Sequence, residues 1–383
     1  MGLPQISQPQ APRTDEITLV PLEQNRYAIW DQFCLENSEA WFWHTSHWIE
    51  YTLHYRPDLR PQSRSFICLL RDRVVAICPL ILESYAATPM VSAEFSFGGD
   101  ATPMPALADD LSDADRKMVS QAVFGRVDAL ARELKVGRVS FRAAPVSPHF
   151  WNLPQPQENP LMKLGFQDIS LATQVIDLSP DETQLLRDMR KGHRADITRA
   201  AKLLDAFVLD KDTITRKSFE SYRMLHHKAA GRVTRPLATF EMMFQWIQQG
   251  TAVLCCAKLG ALDVGFALVS VYKDAAYYSS SCEDPEHNFL PIGHILQWKV
   301  MQWLKTHGIR RYEIGMQPFP GQSHTLVSDK ELRIAFFKRG FGGMAVPFWR
   351  GEKFYSREYY VQVSERRTRA FAEYLSESFE TPS

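Results

Sequence analysis

The same order of secondary-structure signals occurs twice along this chain of 383 residues. In the first half, "SFICLLRDRVVAICPLILESY" (65–85) predicts a strand, a tight turn and a second strand, and the helical pattern "DADRKMVSQAVFGRVDALARELK" precedes the strand "RVSFRA". The second half repeats a hairpin over 251–272, a helix bounded by Pro291 and Gly308, and the strand "IRRYEIG". The repetition predicts an α/β (α+β) fold made of two copies of one unit, each a mixed, largely antiparallel sheet flanked by helices. Because joints of helix, glycine and strand are common, a chance repeat is the alternative.

The domain boundaries follow from changes in composition. Residues 1–16 are rich in Gln and Pro and lack the apolar core of a signal peptide, so we expect a disordered tail there. The first domain is predicted to cover 17–165 and the second 166–383. A proline-rich stretch, 148–160, is the predicted linker between them.

Charge is balanced over the whole chain but not along it. The 44 basic and 44 acidic side chains give a formal net charge of zero, which argues against a broad polyanion-binding surface. The segment 187–202 nevertheless holds six Arg or Lys residues against two Asp, within a pattern that predicts one helix. This basic helix has two explanations, a solvated helix face or a site for phosphate groups.

Cysteine usage and hydropathy restrict the class of protein. The six cysteines form no CxxC pair and most stand in apolar runs, which predicts reduced core residues and no metal site. The longest apolar runs, such as "VVAICPLIL", are too short to cross a bilayer. We therefore expect a cytoplasmic protein with no integral membrane segment.

The stretch "AFFKRGFGG" (335–343) places a cation in an apolar setting. Lys338 has Phe337 and Phe341 as sequence neighbours, and three glycines, Gly340, Gly342 and Gly343, follow it. One explanation is a lysine stem that covers aromatic surface while its ammonium stays in water. The other is a partly desolvated charge aimed at a ligand.

Three stretches together resemble the Fem-type (FemAB-like) acyl- and aminoacyltransferase family, which is related to the GNAT acetyltransferases. These are "LLRDMRKGHRADITRAAK", "AAYYSSSCEDPEHNFLPIGHILQWKVMQWLKTHGIRRYEIG" and "FFKRGFGG". The resemblance covers roughly residues 20–360, and the order of motifs is specific to the superfamily but not to a substrate. It implies two tandem GNAT-like domains, with the basic helix as an insertion in the second.

The resemblance also implies the roles of several residues. Lys338, paired with Phe337, matches a catalytic lysine, and a fixed cation in a dry pocket would stabilise the oxyanion of acyl transfer. Arg194, with Lys191 in the same basic helix, matches an arginine that reaches an acceptor phosphate.

Three further residues lie on strands predicted to border the cleft. Tyr277 and Tyr278 are adjacent on a strand, so alternation sends one to each face and at most one lines the cleft. Glu313, at a strand end, is the candidate acceptor for the proton of an incoming ammonium. A buried ion pair with an arginine is the other explanation for Glu313.

The implied reaction is N-acyl transfer from a thioester or ester to an amine on an amino sugar or a lipid-linked cell-envelope polysaccharide precursor bearing phosphate. No tightly bound cofactor is expected; acyl-CoA or aminoacyl-tRNA would be the co-substrate, with an acyl carrier protein as a further donor. The joint "FLPIGHIL" has one glycine where GNAT enzymes carry a pyrophosphate-binding loop. A lipid-linked acceptor would place the protein peripherally at the inner membrane. The rival interpretation is a catalytically degenerate tandem GNAT-like module that binds an anionic ligand.

Overall fold

The structure, a computed structural model, describes residues 17–84, 93–153, 158–319, 322 and 324–380. The predicted tail over 1–16 and part of the predicted linker lie outside these residues. Within them, no helix is long and apolar enough to cross a membrane, and no group of three or more His, Cys, Asp and Glu side chains could hold a metal ion.

The first half contains nine strands and four helices within the described residues. The strands are β1 (Ile17–Pro21), β2 (Gln62–Ser63), β3 (Phe66–Leu70), β4 (Arg73–Cys78), β5 (Ile81–Ser84), β6 (Ala93–Phe95), β7 (Thr102–Pro103), β8 (Ala106–Leu107) and β9 (Arg138–Arg142). The helices are α1 (Tyr27–Glu36), α2 (Ser46–Tyr55), α3 (Asp113–Glu133) and α4 (Pro148–Asn152).

The first hairpin and the long helix form as predicted. Strands β3 and β4 pair antiparallel around Arg71 and Asp72, whose φ angles of 52° and 62° make a tight turn. Helix α3 buries Val119, Val123 and Val127 against these strands, which explains its helical spacing of apolar residues. Hydrogen bonding divides the strands of this half into two sheets, one with the order β1-β3-β4-β8 and one that contains β9, β6, β5 and β2.

The second half contains nine strands and seven α-helices within the described residues. Its strands are β10 (Gln167–Asp168), β11 (Leu171–Asp177), β12 (Asp205–Leu209), β13 (Ala252–Leu259), β14 (Leu262–Tyr272), β15 (Ala275–Glu283), β16 (Arg311–Met316), β17 (Met344–Phe348) and β18 (Arg350–Phe354). Its helices are α5 (Glu182–Asp188), α6 (Lys191–Leu203), α7 (Arg216–Ala230), α8 (Leu237–Gln248), α9 (Ile292–Thr306), α10 (Asp329–Arg339) and α11 (Arg357–Glu380).

The second-half sheet has the order β12-β13-β14-β15-β16-β11-β17 and is antiparallel except where β15 meets β16. The predicted hairpin and the helix before β16 are both confirmed, and Gly308 ends that helix with a φ of +76°. One apolar cluster lies between this sheet and helices α6 and α9. A second cluster joins the opposite face to Trp41, Phe42 and Trp43 of the first half, so the two halves share a core.

Strand β18 crosses back to the first half. It pairs antiparallel with β9, from Arg350 opposite Arg142 to Phe354 opposite Arg138, and with β10 on its other side. The buried carboxylate of Glu352 forms ion pairs with Arg138 and, from α11, Arg367. The sheet of the first half therefore contains a strand from the end of the chain. The boundary at 165/166 stays a prediction.

The basic segment forms two helices, so the prediction of one helix was wrong. Met189 adopts extended backbone (φ −74°, ψ 152°) between α5 and α6, and its side chain is buried in the core. The break lets the amide of Arg190 donate to the carbonyl of Gly340, 2.9 Å away. Burial of Met189 and this contact with the end of α10 outweigh the helical preference of the local sequence.

Candidate active site

The two parallel strands β15 and β16 are paired only over their first residues. Tyr277 and Glu313 form the last pair that joins them among the described residues. Beyond it, β15 runs on to Glu283 beside β14, and β16 runs on to Met316 beside β11. A gap, which we call the β15–β16 gap, therefore opens directly after Tyr277 and Glu313.

Two helix ends border this gap. A side chain placed on Gly293, in the first turn of α9, would lie 2.6 Å from an oxygen of Glu283 and 3.1 Å from the ring of Phe337. Because Phe337 belongs to the last turn of α10, the start of α9 and the end of α10 meet beside the gap. This close packing requires a residue without a side chain at position 293.

Glu313 is buried at the base of the gap, with 1% of its surface exposed. The hydroxyl of Thr173 donates a hydrogen bond to Oε1 at 2.8 Å, whereas Oε2 is buried without a hydrogen-bond partner in the described part of the chain. Burial raises the pKa of Glu313 to about 7, although the Thr173 hydrogen bond and the charges of Arg142 and Lys338 oppose the shift. A carboxyl group that titrates near neutral pH and keeps one oxygen free can act as a general base.

Tyr277 and Tyr278 lie on opposite faces of the sheet, as strand alternation predicts. The ring of Tyr277 packs at 5.1 Å from that of Trp43, on the face toward the first half. Burial, and then the charge of Glu313, raises the pKa of Tyr277 to about 12. Tyr278 packs on the other face, with the core that contains α9.

Lys338 projects from the last turn of α10 toward β16. Its ammonium nitrogen lies 5.9 Å from the ring centroid of Tyr278. A side chain placed on Gly315, whose φ is +114°, would lie 2.5 Å from that nitrogen. Burial lowers the pKa of Lys338, and the charge of Glu313 partly opposes this shift. The lysine is therefore near Glu313 and is partly desolvated, as one of the two sequence-based explanations requires.

The ring of Phe337 packs against other aromatic rings and not against the ammonium of Lys338, its neighbour in sequence. Its ring packs at 5.1 Å from Phe341 and 5.0 Å from His294, and its carbonyl accepts a hydrogen bond from His193 Nε2 at 2.9 Å. The aromatic ring near the ammonium of Lys338 is that of Tyr278. Phe337 thus anchors the end of α10 to α6 and α9.

Arg194 and Lys191 both lie in the first turn of α6. Arg194 Nη1 donates to the carbonyls of Arg187 (3.0 Å) and Met189 (2.6 Å), which the break between α5 and α6 leaves without helical partners. Lys191 is exposed at the start of α6. The structure thus gives Arg194 a local structural contact and leaves Lys191 accessible.

Arg142, in the first half, is the site residue that sequence reasoning missed. It is 9% exposed, its guanidinium stacks on Trp43 at 4.3 Å from the ring centroid, and its charge acts on both Glu313 and Tyr277. The strand "RVSFRA" alternates charged or polar residues with Val139 and Phe141, which enter the core. That alternation was the available signal, because it sends Arg142 to the face opposite the core of its own half.

The family model for the acetyltransferase (GNAT) domain matches residues 183–322. No curated protein matches the chain in sequence. The match includes β15, α9 and β16, and therefore the β15–β16 gap and Glu313.

Several solved structures share the fold over most of the chain. FemX matches with a TM-score of 0.62 and 13% identity, over 91% of this chain and 100% of FemX. L-PGS from Bacillus licheniformis matches with a TM-score of 0.55 and 12% identity, over 92% of this chain and 98% of that one. The C-terminal domain of a protein described as a lysylphosphatidylglycerol synthetase, from Agrobacterium fabrum, matches with a TM-score of 0.51 and 13% identity, over 77% and 85%.

These identities are low enough that the likeness establishes the fold alone. The fold prediction of two tandem GNAT-like units is confirmed by it. The chain thus contains a stretch, 183–322, that matches the acetyltransferase (GNAT) domain and includes the gap and Glu313, within a whole-chain fold that FemX shares.

Proposed function

We propose that this protein transfers an acyl or aminoacyl group from a thioester or ester donor to an amine, with Glu313 as the general base. The observation that carries the proposal is the buried Glu313 carboxyl group, which keeps one oxygen free beside a gap between strands. An amine arrives in water mainly as an ammonium, so it must lose a proton before it can attack a carbonyl carbon. Glu313 accepts that proton most effectively near pH 7, where its own pKa lies.

Lys338 then stabilises the intermediate. The deprotonated amine forms a C–N bond to the carbonyl carbon, and the carbonyl oxygen takes the negative charge of a tetrahedral intermediate. The ammonium of Lys338, held over Gly315 and Tyr278, offsets that charge. As the intermediate collapses, its nitrogen loses its second proton to water and the C–S or C–O bond breaks. The leaving thiolate or alkoxide takes up the proton held by Glu313, which returns to its carboxylate form.

The donor and acceptor follow from the superfamily and from the neighbours in fold. A GNAT domain supports acyl-CoA as donor, and acyl carrier protein and aminoacyl-tRNA are the other candidates. For the acceptor we propose an amine on an amino sugar or on a lipid-linked cell-envelope polysaccharide precursor, with Lys191 at the start of α6 as a contact for its phosphate. One neighbour in fold is described as a lysylphosphatidylglycerol synthetase, a name that denotes a lipid product, and by analogy we propose a position at the inner face of the membrane.

The donor is the first point to test. The protein is purified from its native cells, denatured, and analysed by mass spectrometry for released coenzyme A, acyl carrier protein and tRNA. The donor class found is then supplied with a panel of amines. We expect one donor class to co-purify and its acyl group to appear on an amine as an amide. A donor that binds and is never consumed with any amine would instead favour the degenerate binding module.

Gly315→Ala tests the position of Lys338 without changing its charge. The added methyl group would lie 2.5 Å from the ammonium nitrogen of Lys338 and would displace it. The positive φ of this position would also strain the backbone of any residue but glycine. We expect turnover to fall about as far as in a Lys338→Ala variant, and the free energy of unfolding to fall by roughly 1–3 kcal/mol.

Gly308→Ala is the matched control for this variant. Gly308 also has a positive φ, +76°, but nothing lies within 4 Å of the added methyl group. It should lose stability and keep its turnover, as measured by denaturant unfolding and steady-state kinetics. Equal turnover in Gly315→Ala and Gly308→Ala would show that turnover does not depend on the position of the Lys338 ammonium over Gly315.

A further inference from the structure

Arg142 carries a buried charge that forms no ion pair within the described residues, although the carboxylates of Asp100 and Glu313 act on it from a longer distance. Its Nε is buried without a hydrogen-bond partner, and no hydrogen bond or ion pair to its guanidinium occurs in the described ranges of the chain. The groups in contact with it are aromatic, with the ring centroid of Trp43 at 4.3 Å and that of Phe97 at 5.9 Å. Burying a cation without an anion costs free energy, which is recovered when a ligand supplies the anion.

Arg138, four residues earlier on β9, is a buried arginine with a structural role, and it serves as a comparison for Arg142. Because side chains of a strand alternate, both arginines lie on the same face of the sheet. Arg138 forms ion pairs with Glu94 at 3.0 Å and Glu352 at 3.1 Å, and both carboxylates are 1% exposed. On the same face, Arg138 therefore forms two ion pairs with buried carboxylates, whereas Arg142 forms none within the described residues.

A cavity of about 480 Å³ opens on this face of β9. Ser140, which lies between the two arginines, lines it together with Met316 at the end of β16, three positions after Glu313. The lining also includes three further arginines, Arg350, Arg366 and Arg367, of which Arg350 is ion-paired with Asp100, the one carboxylate in the lining, and Arg367 with Glu352. The cavity therefore gives an anionic molecule a basic approach along β9 toward the end of the strand that carries Glu313; Arg142 lies two residues beyond Ser140 on the same face and is not itself part of the lining.

We propose that Arg142 and this cavity bind the anionic part of the acceptor, a carboxylate or phosphate group on the same molecule as the reacting amine. The inference rests on the proposed function, because it assigns the acceptor of that reaction to a class, the amines that also carry an anion. A guanidinium presents two parallel N–H groups to either anion, and the Trp43 ring fixes its plane. Arg194 is less suited to this task, since its Nη1 is bonded to two carbonyls.

The ring of Trp43 provides a direct reporter of anion binding. The full-length protein is labelled with 5-fluorotryptophan, and the ¹⁹F resonance of Trp43 is assigned by its loss in Trp43→Phe. Sodium acetate and sodium phosphate are then titrated in separate arms, with chloride adjusted to hold the ionic strength constant. We expect a saturable shift of the Trp43 resonance in one or both arms, and its loss in Arg142→Met. A response to acetate alone assigns a carboxylate, and a response to phosphate alone assigns a phosphate.

Thermal stability separates a ligand-binding role from a structural one. Arg142→Met keeps the apolar stem on Trp43 and removes a buried charge that has no ion-pair partner in contact, so its Tm without added anion should rise by about 2 °C or more. Arg138→Met is the matched control, and its Tm should fall because Glu94 and Glu352 lose a partner.

Two results would overturn the inference. One is a Trp43 resonance that neither anion shifts, or that shifts equally in Arg142→Met, and the other is a fall in Tm for Arg142→Met like that of Arg138→Met. Neither measurement uses acyl transfer. A protein that binds the anion and never forms an amide would therefore refute the proposed function and leave the anion site standing.

Discussion

The Glu313→Gln variant is expected to fold normally and to lose about 10²–10⁴-fold in kcat. The amide oxygen of Gln can still accept the hydrogen bond from Thr173, so the local geometry is kept. What the amide cannot do is take a proton from the incoming ammonium. Steady-state kinetics with saturating donor and amine measures the loss, and a rate within a few-fold of wild type would show that another group is the base.

The pH dependence adds a second reading of the same variant. With a pKa of about 7, Glu313 is ionised only above neutral pH, so wild-type turnover should rise up to about pH 7 and then level off. The remaining activity of Glu313→Gln should lack this step.

As pH rises, the free energy of unfolding should fall where turnover rises. Between its ordinary pKa of 4.5 and 7, the folded protein holds a proton on Glu313 that the unfolded chain has lost. The free energy of unfolding of the wild type therefore falls as pH rises through that window. Denaturant unfolding at pH 5 and pH 8 should show a smaller fall for Glu313→Gln.

Lys338→Ala is expected to reduce kcat by about 10²–10³-fold, the effect of losing one donor that stabilises an oxyanion. Lys338→Arg should recover little of this, because a planar guanidinium cannot place its charge where a compact ammonium lies over Gly315. Circular dichroism and denaturant unfolding establish that both variants are folded before their rates are compared.

Lys330→Ala is the matched control for the lysine, since Lys330 is exposed on the same helix, α10. It should keep wild-type turnover. Normal turnover in a well-folded Lys338→Ala protein would remove electrostatic catalysis by this lysine and leave the reaction to Glu313. A modest loss of stability without loss of rate would then support the explanation in which the lysine stem merely covers the Tyr278 ring.

Local signals predicted the second half well. The hairpin of β13 and β14, the helix α9 between Pro291 and Gly308, and the strand that carries Glu313 all follow from periodicity and from helix-stop residues near in sequence. The alternation of Tyr277 and Tyr278 likewise needs only the geometry of a strand. Each of these features depends on residues within about one turn or one strand of each other.

The features that sequence reasoning missed depend on distant residues. Met189 interrupts the basic segment because its side chain enters the core and Arg190 bonds to Gly340, which local propensity cannot reveal. Arg142 becomes a site residue only because Trp43 and Tyr277 bring the two halves together around it. Contacts between segments that are distant in sequence form only when the core assembles, so local sequence patterns do not predict them.

The place of β18 beside β9 has a consequence for biosynthesis. Arg138 and Glu352, which form an ion pair across these strands, are 214 positions apart, so more than 200 further residues must be synthesised after Arg138 before the two can meet. Until then β9 has an open edge, and open edges favour pairing with other chains. Domains usually fold in order as they emerge, but here the first half waits for the last strands to complete its sheet. A nascent chain arrested before residue 350 should therefore need a chaperone to stay monomeric.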